Sequence, residues 1–264
     1  MTTTTLNHKK VIVTGASSGI GLEVVKLLLQ QNCTIVAAAK EIGGLTPDDI
    51  QLFAYVGDLS TQEGIDQLFD FALDVMGGID IFVANAGFAY YELLGSPDWQ
   101  HISNIFNINT FGAIYSAQKM KQLHGDRPYT VMCTASGMGI LPLPGYALYS
   151  ATKAAIRGFA EAYRYELNSG QHFKVIYPIS TRTDFFKNAG NSPMPWPSQT
   201  ATAVASALVK GLGSGKRDIY PSFTFRLMNT LNRIFPFALR LYANHEHAKL
   251  QQWVQQKHRE ETFK

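Results

Sequence analysis

Val11-Ile12-Val13-Thr14-Gly15-Ala16-Ser17-Ser18-Gly19-Ile20-Gly21 is the stretch from which the fold is read. Val11 to Val13 forms a short apolar strand, and a helical pattern runs from Gly19 through Leu29. The turn between them is spaced Gly-x-x-x-Gly-x-Gly rather than the commoner Gly-x-Gly-x-x-Gly. Strand, glycine-rich turn and helix suit the pyrophosphate of a dinucleotide. The glycines let backbone approach the phosphates, and the helix N-terminus favours their negative charge. The alternative is an ordinary glycine-rich strand-to-helix turn.

Outward from this stretch, strands alternate with helices. Strands read at 10–14, 33–39, 51–56, 79–84, 129–134, 173–177 and 217–221, and helices at 19–30, 61–76, 98–123, 147–168 and 199–212. The alternation predicts an α/β fold with a parallel sheet covered by helices on both faces. One crossover is short. Gly43, Gly44 and Pro47 oppose a helix between Lys40 and Gln51. That connection is expected to be an irregular loop or a single turn, leaving the adenosine side more open than usual. Thr2–Thr5 reads as a frayed terminus.

Tyr149-Ser150-Ala151-Thr152-Lys153 places a tyrosine and a lysine on one helix face. An ammonium near a phenol favours the ionised phenol and eases proton transfer to a reacting oxygen. Tyr115-Ser116-Ala117-Gln118-Lys119 has the same spacing. The sequence upstream separates the two. Strand Tyr129–Cys133 runs into Thr134-Ala135-Ser136, and Ser136 lies thirteen residues before Tyr149, at a strand end where a hydroxyl faces a cleft. Tyr115 has no such serine, only an amphipathic helix before it.

These signals together resemble the short-chain dehydrogenase/reductases in their single-domain form, over about residues 9–222. Three further motifs carry the resemblance: Asp58-Leu59, Asn85-Ala86-Gly87 and Asn109-Thr110-Phe111-Gly112. It implies a Rossmann-like, doubly wound sheet of about seven strands. It implies a cofactor held by Gly15, Ser17, Ser18, Gly19, Ile20, Gly21, Asp58, Leu59, Asn85, Ala86 and Gly87, with Asp58 on the adenine. It makes Asn109, Ser136, Tyr149 and Lys153 the catalytic set. Ser136 would bond the substrate oxygen. Tyr149 would give it a proton in reduction or take one in oxidation. Lys153 would bond the nicotinamide ribose and lower the Tyr149 pKa, because a phenol near pKa ~10 is a poor base at neutral pH. Asn109 would hold a water linking Lys153 to solvent.

The second strand ends in Ala38-Ala39-Lys40. A carboxylate there would bond the ribose 2′-OH and repel a 2′-phosphate. None is present, and Lys40 offers a point charge to the phosphate. NADP (NADPH) is therefore expected in preference to NAD. A solvated loop charge is the other reading of Lys40. In Tyr177-Pro178-Ile179-Ser180-Thr181-Arg182-Thr183, the family's Pro-Gly-x-x-x-Thr is matched at Pro178 and Thr183, while Ile179 replaces the glycine. A β-branched residue does not easily take positive φ, so the path of the Ile179, Thr181 and Thr183 cofactor contacts is open. Phe88, Tyr90, Tyr91, Met138, Leu141–Pro144, Phe185, Phe186, Met194 and Trp196 make the substrate side apolar. They suit a hydrophobic carbonyl/alcohol pair, or they pack a lid over 184–198 onto the core.

A chain of 264 residues, 46% hydrophobic and 16% charged, suits one globular catalytic domain. A net charge of +3 is too small to suggest nucleic acid. Cys33 and Cys133 read onto strands two and five, roughly 14 Å apart at about 4.8 Å per strand in the family's sheet order, too far for a disulfide. His101, His124 and His172 lack metal-ligand spacing, so no metal is expected. The start carries no leader pattern and no apolar run spans a membrane; a cytoplasmic protein is expected. The family's catalytic domain covers 1–222. A helical extension, 223–264, follows, with Arg226, Arg233 and Arg240 at sevenfold spacing and Pro236 as a break or kink. Residues 222–264 carry seven Lys/Arg against three Asp/Glu. The extension lies on a membrane surface, covers the cleft, or packs on its own domain or a second subunit. The resemblance implies a homodimer through helices 98–123 and 147–168, with a tetramer as the alternative. Two functions stand: an NADP-dependent oxidoreductase, or a non-catalytic dinucleotide sensor on the same fold.

Overall fold

Val11 and Val13 point to one side of their strand and Ile12 to the other, and all three are fully buried. A strand covered on both faces belongs inside a two-sided sheet. The computed structural model describes residues 5–48, 50–234 and 237–262. Its strands are β1 (Lys10–Thr14), β2 (Thr34–Ala39), β3 (Leu52–Val56), β4 (Ile81–Ala84), β5 (Tyr129–Thr134), β6 (Gln171–Ile176), β7 (Ser180–Arg182), β8 (Ser198–Thr200) and β9 (Asp218–Ile219). Seven of them form one parallel sheet in the order β3-β2-β1-β4-β5-β6-β9. The chain order reverses between β1 and β4, so a crevice opens at their carboxyl ends.

Two helical layers cover the sheet. On one face α1 (Gly19–Leu29) and α7 (Ala201–Leu212) bury Val24, Leu28, Val204 and Leu208 against Val11 and Val13. On the other, α2 (Gln62–Met76), α4 (Gly112–His124) and α5 (Ala147–Tyr163) bury Leu68, Met120 and Ile156 against Ile12, Phe82 and Val131. Thr61 caps α2 by accepting the Gly64 N–H, and Gly77 ends it in the left-handed conformation.

The helix expected over 98–123 is three pieces. After α3 (Trp99–Phe106), a π turn runs from Asn107 to Phe111, with the Gly112 N–H reaching the Asn107 carbonyl, and α4 follows. The helix expected to reach residue 168 stops at Tyr163. Arg164 there turns to bond the Phe173 and Arg217 carbonyls and the Asp218 carboxylate. The 40–51 connection has no helix among its described residues. It does not stand away from the glycine turn: the Gly44 N–H donates to the Ser17 carbonyl at 3.0 Å. A side chain at Gly43 would meet Ser17 at 2.7 Å, so the opening expected there is partly filled. Cys33, just before β2, and Cys133, on β5, are buried and free, and β1 and β4 lie between those two strands.

Two short elements were not foreseen. β7 pairs with β8, and this small ladder closes the base of the segment over 184–198, which also holds α6 (Phe185–Asn188). The extension is α8 (Phe223–Ile234) and α9 (Phe237–Thr262); the break expected at Pro236 lies outside the described residues. Both helices pack on the chain's own domain. Phe225 is buried beside Gly137, and Leu250 and Trp253 join Tyr91, Tyr146 and Phe186. Tyr242 O–H donates to the Trp196 carbonyl at 2.6 Å and Trp253 Nε1 to the Gly190 carbonyl at 3.3 Å, so α9 grips the 184–198 segment. No described helix is long and apolar enough to cross a membrane.

Candidate active site

The glycine turn closes on itself because two of its positions admit no side chain. Gly15 has φ +63°, and a Cβ there would lie 2.8 Å from the Ala86 Cα; at Gly21 it would lie 2.1 Å from the Gly15 carbonyl oxygen. Gly21 is thus a packing glycine, letting α1 sit against the end of β1. Ser18 precedes α1 in extended conformation and its side chain caps none of the helix N–H groups. The N-terminus of α1 therefore keeps donors for another partner.

One cavity runs from this turn to the far end of the crevice. Gly15, Ser17, Ser18, Gly19 and Ile20 line it at one end, with Asn85, Ala86 and Gly87 beside them and Ser136, Tyr149 and Lys153 at the other. Ile179, Thr181 and Thr183 complete its wall. Ile179 takes no positive φ. Its carbonyl accepts from Thr181 Oγ1 at 2.8 Å, and the Pro178 carbonyl accepts from the Gly137 N–H at 2.7 Å. The segment thus reaches the cavity by a path that needs no glycine. Thr183 presses its methyl group on Gly19.

Asn85 ties three strand ends together. Its N–H donates to Thr14 Oγ1 at 2.9 Å, its Nδ2 to the Thr14 and Gly15 carbonyls, and its Oδ1 accepts from Thr134 Oγ1. Asn109, on the π turn, clamps the loop after β4. It accepts the Phe88 N–H at 3.0 Å and donates to the Phe88 carbonyl at 2.9 Å and to Thr152 Oγ1 at 3.1 Å. Thr14, Thr134 and Thr152 were missed. Thr14 and Thr134 each end a strand beside a motif, and that position was the available signal.

Tyr149 and Lys153 project from α5 toward the end of β5. The Ser136 hydroxyl hydrogen-bonds the Tyr149 phenol, and Lys153 Nζ donates to the Thr134 carbonyl at 2.9 Å. Lys153 Nζ lies 5.7 Å from the centre of the Tyr149 ring. Lowering of the Tyr149 pKa by Lys153 was expected. Burial instead pushes the phenol up to about 12, against which the Ser136 hydrogen bond acts. Burial pushes Lys153 down to about 8. Desolvation is the largest cause for both groups.

Lys40 and Asp58 do not line the main cavity. They pair at 3.9 Å, with side chains 75% and 54% exposed. The Ser60 N–H and hydroxyl hold the Asp58 carboxyl below its usual range, with Lys40 a smaller cause. Leu59 lines a separate small cavity with Asn109. On the substrate side, Phe88, Met138, Phe185 and Phe186 line the main cavity beside Tyr149. Tyr90 instead stacks on His101, and Tyr91 is buried against Tyr146 and Trp253. Among the described residues no cluster of His, Cys, Asp or Glu could hold a metal ion.

The cavity fits a dinucleotide on its own geometry: a cradle a Cβ would fill, uncapped helix N–H groups, and a continuous wall to Tyr149. The profile of the family described as short chain dehydrogenase matches residues 9–193. The human protein Dehydrogenase/reductase SDR family member 11 is 32% identical over 66% of this chain and 74% of its own length. Farnesol dehydrogenase of Aedes aegypti is 30% identical over 67% and 78%. A short-chain dehydrogenase/reductase from Burkholderia phymatum, solved in complex with NAD, shares the fold with a TM-score of 0.78, 18% identity and coverage of 87% and 94%. One from Burkholderia cenocepacia, in complex with NADP, gives 0.77, 20%, 89% and 97%. With the profile spanning most of the sheet and every motif of the cavity, the chain belongs to the short-chain dehydrogenase/reductase family, nicotinamide-dependent oxidoreductases of CH–OH and C=O groups.

Proposed function

We propose that the protein interconverts a hydrophobic ketone or aldehyde and its alcohol, with NADP as the preferred dinucleotide. The observation that carries this reading is the meeting of Ser136, Tyr149 and Lys153 in the cavity that begins at the glycine turn. The bound nicotinamide supplies or accepts the hydride. The chain's own residues do the rest. Ser136 and Tyr149 hold the substrate oxygen, and Tyr149 gives it a proton in reduction. The phenol is protonated at neutral pH and so carries the proton that reduction needs, while burial, by raising it to about 12, makes it a weaker acid than a free phenol. Lys153 would hold a ribose hydroxyl of the dinucleotide, and Asn109 fixes the loop that carries Gly87 and Phe88. Phe88, Met138, Phe185 and Phe186 exclude water and favour an apolar substrate. The relative named for farnesol acts, by that name, on an alcohol.

NADP preference rests on Lys40 and on the absence of a carboxylate at position 39. A 2′-phosphate would share the Lys40 ammonium with Asp58. A charge-assisted contact of this kind contributes on the order of 1.5–3 kcal/mol, about tenfold or more in preference. Residues 1–222 act as the catalytic domain and 223–264 as its helical cover. Exposed Trp99 on α3, Phe111 on the π turn and Tyr165 just past α5 support a homodimer through those helices. A cytoplasmic location is part of the same reading, and contact of 223–264 with a membrane surface is a lesser one. NADPH and NADH consumption against a panel of aliphatic and aromatic ketones and aldehydes tests the whole. Turnover with tighter NADPH than NADH, narrowed in Lys40→Ala, is expected. Cofactor binding without turnover of any carbonyl or alcohol would favour a dinucleotide sensor instead.

A further inference from the structure

Helix α8 turns apolar side chains in two directions. It opens at Ser222, whose Oγ accepts the Phe225 N–H at 3.2 Å. Phe225 points inward and is buried beside Gly137, and Met228 follows it on that side. Residues four apart on a helix share a face. Phe223, Leu227 and Leu231 therefore make one stripe along the other face, where they are 76%, 49% and 45% exposed. A helix lying on a soluble domain ordinarily carries polar residues there. Trp196, which lines a cavity with Met228, and Leu241 on α9 are exposed as well. We propose that this stripe, with the arginines beside it, docks the protein on the surface of an anionic lipid bilayer.

Charge decides the occupant. From residue 219 to residue 245 the chain has no Asp or Glu, and Arg226, Arg233 and Arg240 all fall within that stretch. Arg226 and Arg240 are exposed. The carboxylates that bound the stretch are already engaged, Asp218 by Arg164 at 2.9 Å and Glu246 by Lys249 at 2.7 Å. A second copy seated on the stripe would bring the same arginines and no carboxylate to meet them, so like charges would face each other. Anionic headgroups supply the opposite charge, and acyl chains supply the apolar contact. No described helix could cross a bilayer, so α8 lies in the plane of its interface.

The proposal narrows the membrane contact of 223–264 given above to one helix face. Its test on the full chain reads binding without turnover, so its failure and that of the carbonyl chemistry are separate results. Cosedimentation is measured with vesicles of phosphatidylcholine containing about 30% phosphatidylserine, and with phosphatidylcholine alone. Binding to the anionic vesicles should be stronger by about tenfold or more, and it should weaken in about 0.5 M NaCl. Leu227→Ser combined with Leu231→Ser should weaken it by about tenfold or more, and Arg226→Gln by about fivefold. Circular dichroism and the mass by light scattering should stay unchanged in both variants. Equal binding to the two kinds of vesicle, no binding to either, or binding that the paired leucine substitutions leave intact would overturn the proposal. A mass that halves in the leucine variant would assign the stripe to a second copy and overturn it too.

Discussion

Two helices of this chain carry a tyrosine four residues ahead of a lysine, and their surroundings differ in every respect that matters to chemistry. On α4, Tyr115 donates to Asp66 of α2 at 2.9 Å, and Lys119 bonds the same carboxylate while lying over the Phe69 ring. Both polar groups are consumed by one neighbouring helix. On α5, Tyr149 meets a serine and an aromatic ring, and Lys153 meets a backbone carbonyl. Among the described residues no carboxylate pairs with that lysine, and both side chains line a cavity. The same spacing makes a clamp between helices in one place and lines a cavity in the other. The residues opposite the motif decide which.

The largest effect expected from this contrast is on turnover. Tyr149→Phe should lower kcat by about 10²–10⁴-fold while NADPH binding, followed by fluorescence, stays within a few-fold. Tyr115→Phe should leave kcat within about twofold, since it loses only one hydrogen bond of modest net worth. Equal losses in the two variants would break the assignment of the site to α5.

A smaller effect is expected in the dependence of stability on pH. Lys153 and Lys174 are both pushed from 10.5 down to about 8 by burial. Their folded pKa values lie below the unfolded ones, so from about pH 8 to 10 the unfolded chain binds more protons. Each lysine therefore contributes stability that rises with pH across that window, by up to about 1 kcal/mol per pH unit, while the buried thiols of Cys33 and Cys133, whose pKa values burial raises, contribute in the opposite direction. Urea unfolding of Lys153→Met at several pH values should show a slope lower than that of the unmodified protein by about the contribution of one such lysine. Above pH 10 the direction reverses for Tyr149, whose folded pKa is raised: the unfolded phenol ionises first and stability falls. A slope unchanged in Lys153→Met would place its ammonium in water.

The smallest effect belongs to the α4 clamp. Lys119→Met should lower the thermal midpoint by about 1–3 °C and leave kcat unchanged. A fall in kcat at an unchanged midpoint would show that this pair reaches the active site after all.

Much of the site was legible because its signals are local. The glycine turn, the Tyr149–Lys153 spacing and the distance back to Ser136 each depend on a strand end or a helix face, and a sequence displays both. What was not legible depends on distant packing. The upward displacement of the Tyr149 pKa comes from burial by Tyr146 and Phe185, which spacing cannot show. The role of Asn85 as a tie among β1, β4 and β5 needs the strand order. β7 and β8 are three residues each, too short for a periodic pattern, and they stabilise one another across eighteen residues of chain. The extension was legible as helical, but where it packs was not. Its landing on the 184–198 segment follows from Tyr242 and Trp253, whose partners are backbone carbonyls and leave no mark in the sequence.

The π turn at Asn107–Phe111 has a consequence for how this chain tolerates change in length. A single π turn amounts to one residue more than an α-helix would use. Deleting one residue from that stretch would heal the helix into regular α form, and on helix propensity alone it would look harmless. The flanking α3 and α4 would keep nearly their present register, because the turn already absorbs the extra residue, but the residues of the turn itself would be displaced. Asn109 would leave the Phe88 backbone, and the loop bearing Gly87 would lose its clamp. Insertions and deletions here are therefore not neutral spacing changes. The length of the 99–124 helical region is under the same constraint as the identity of Asn109 itself.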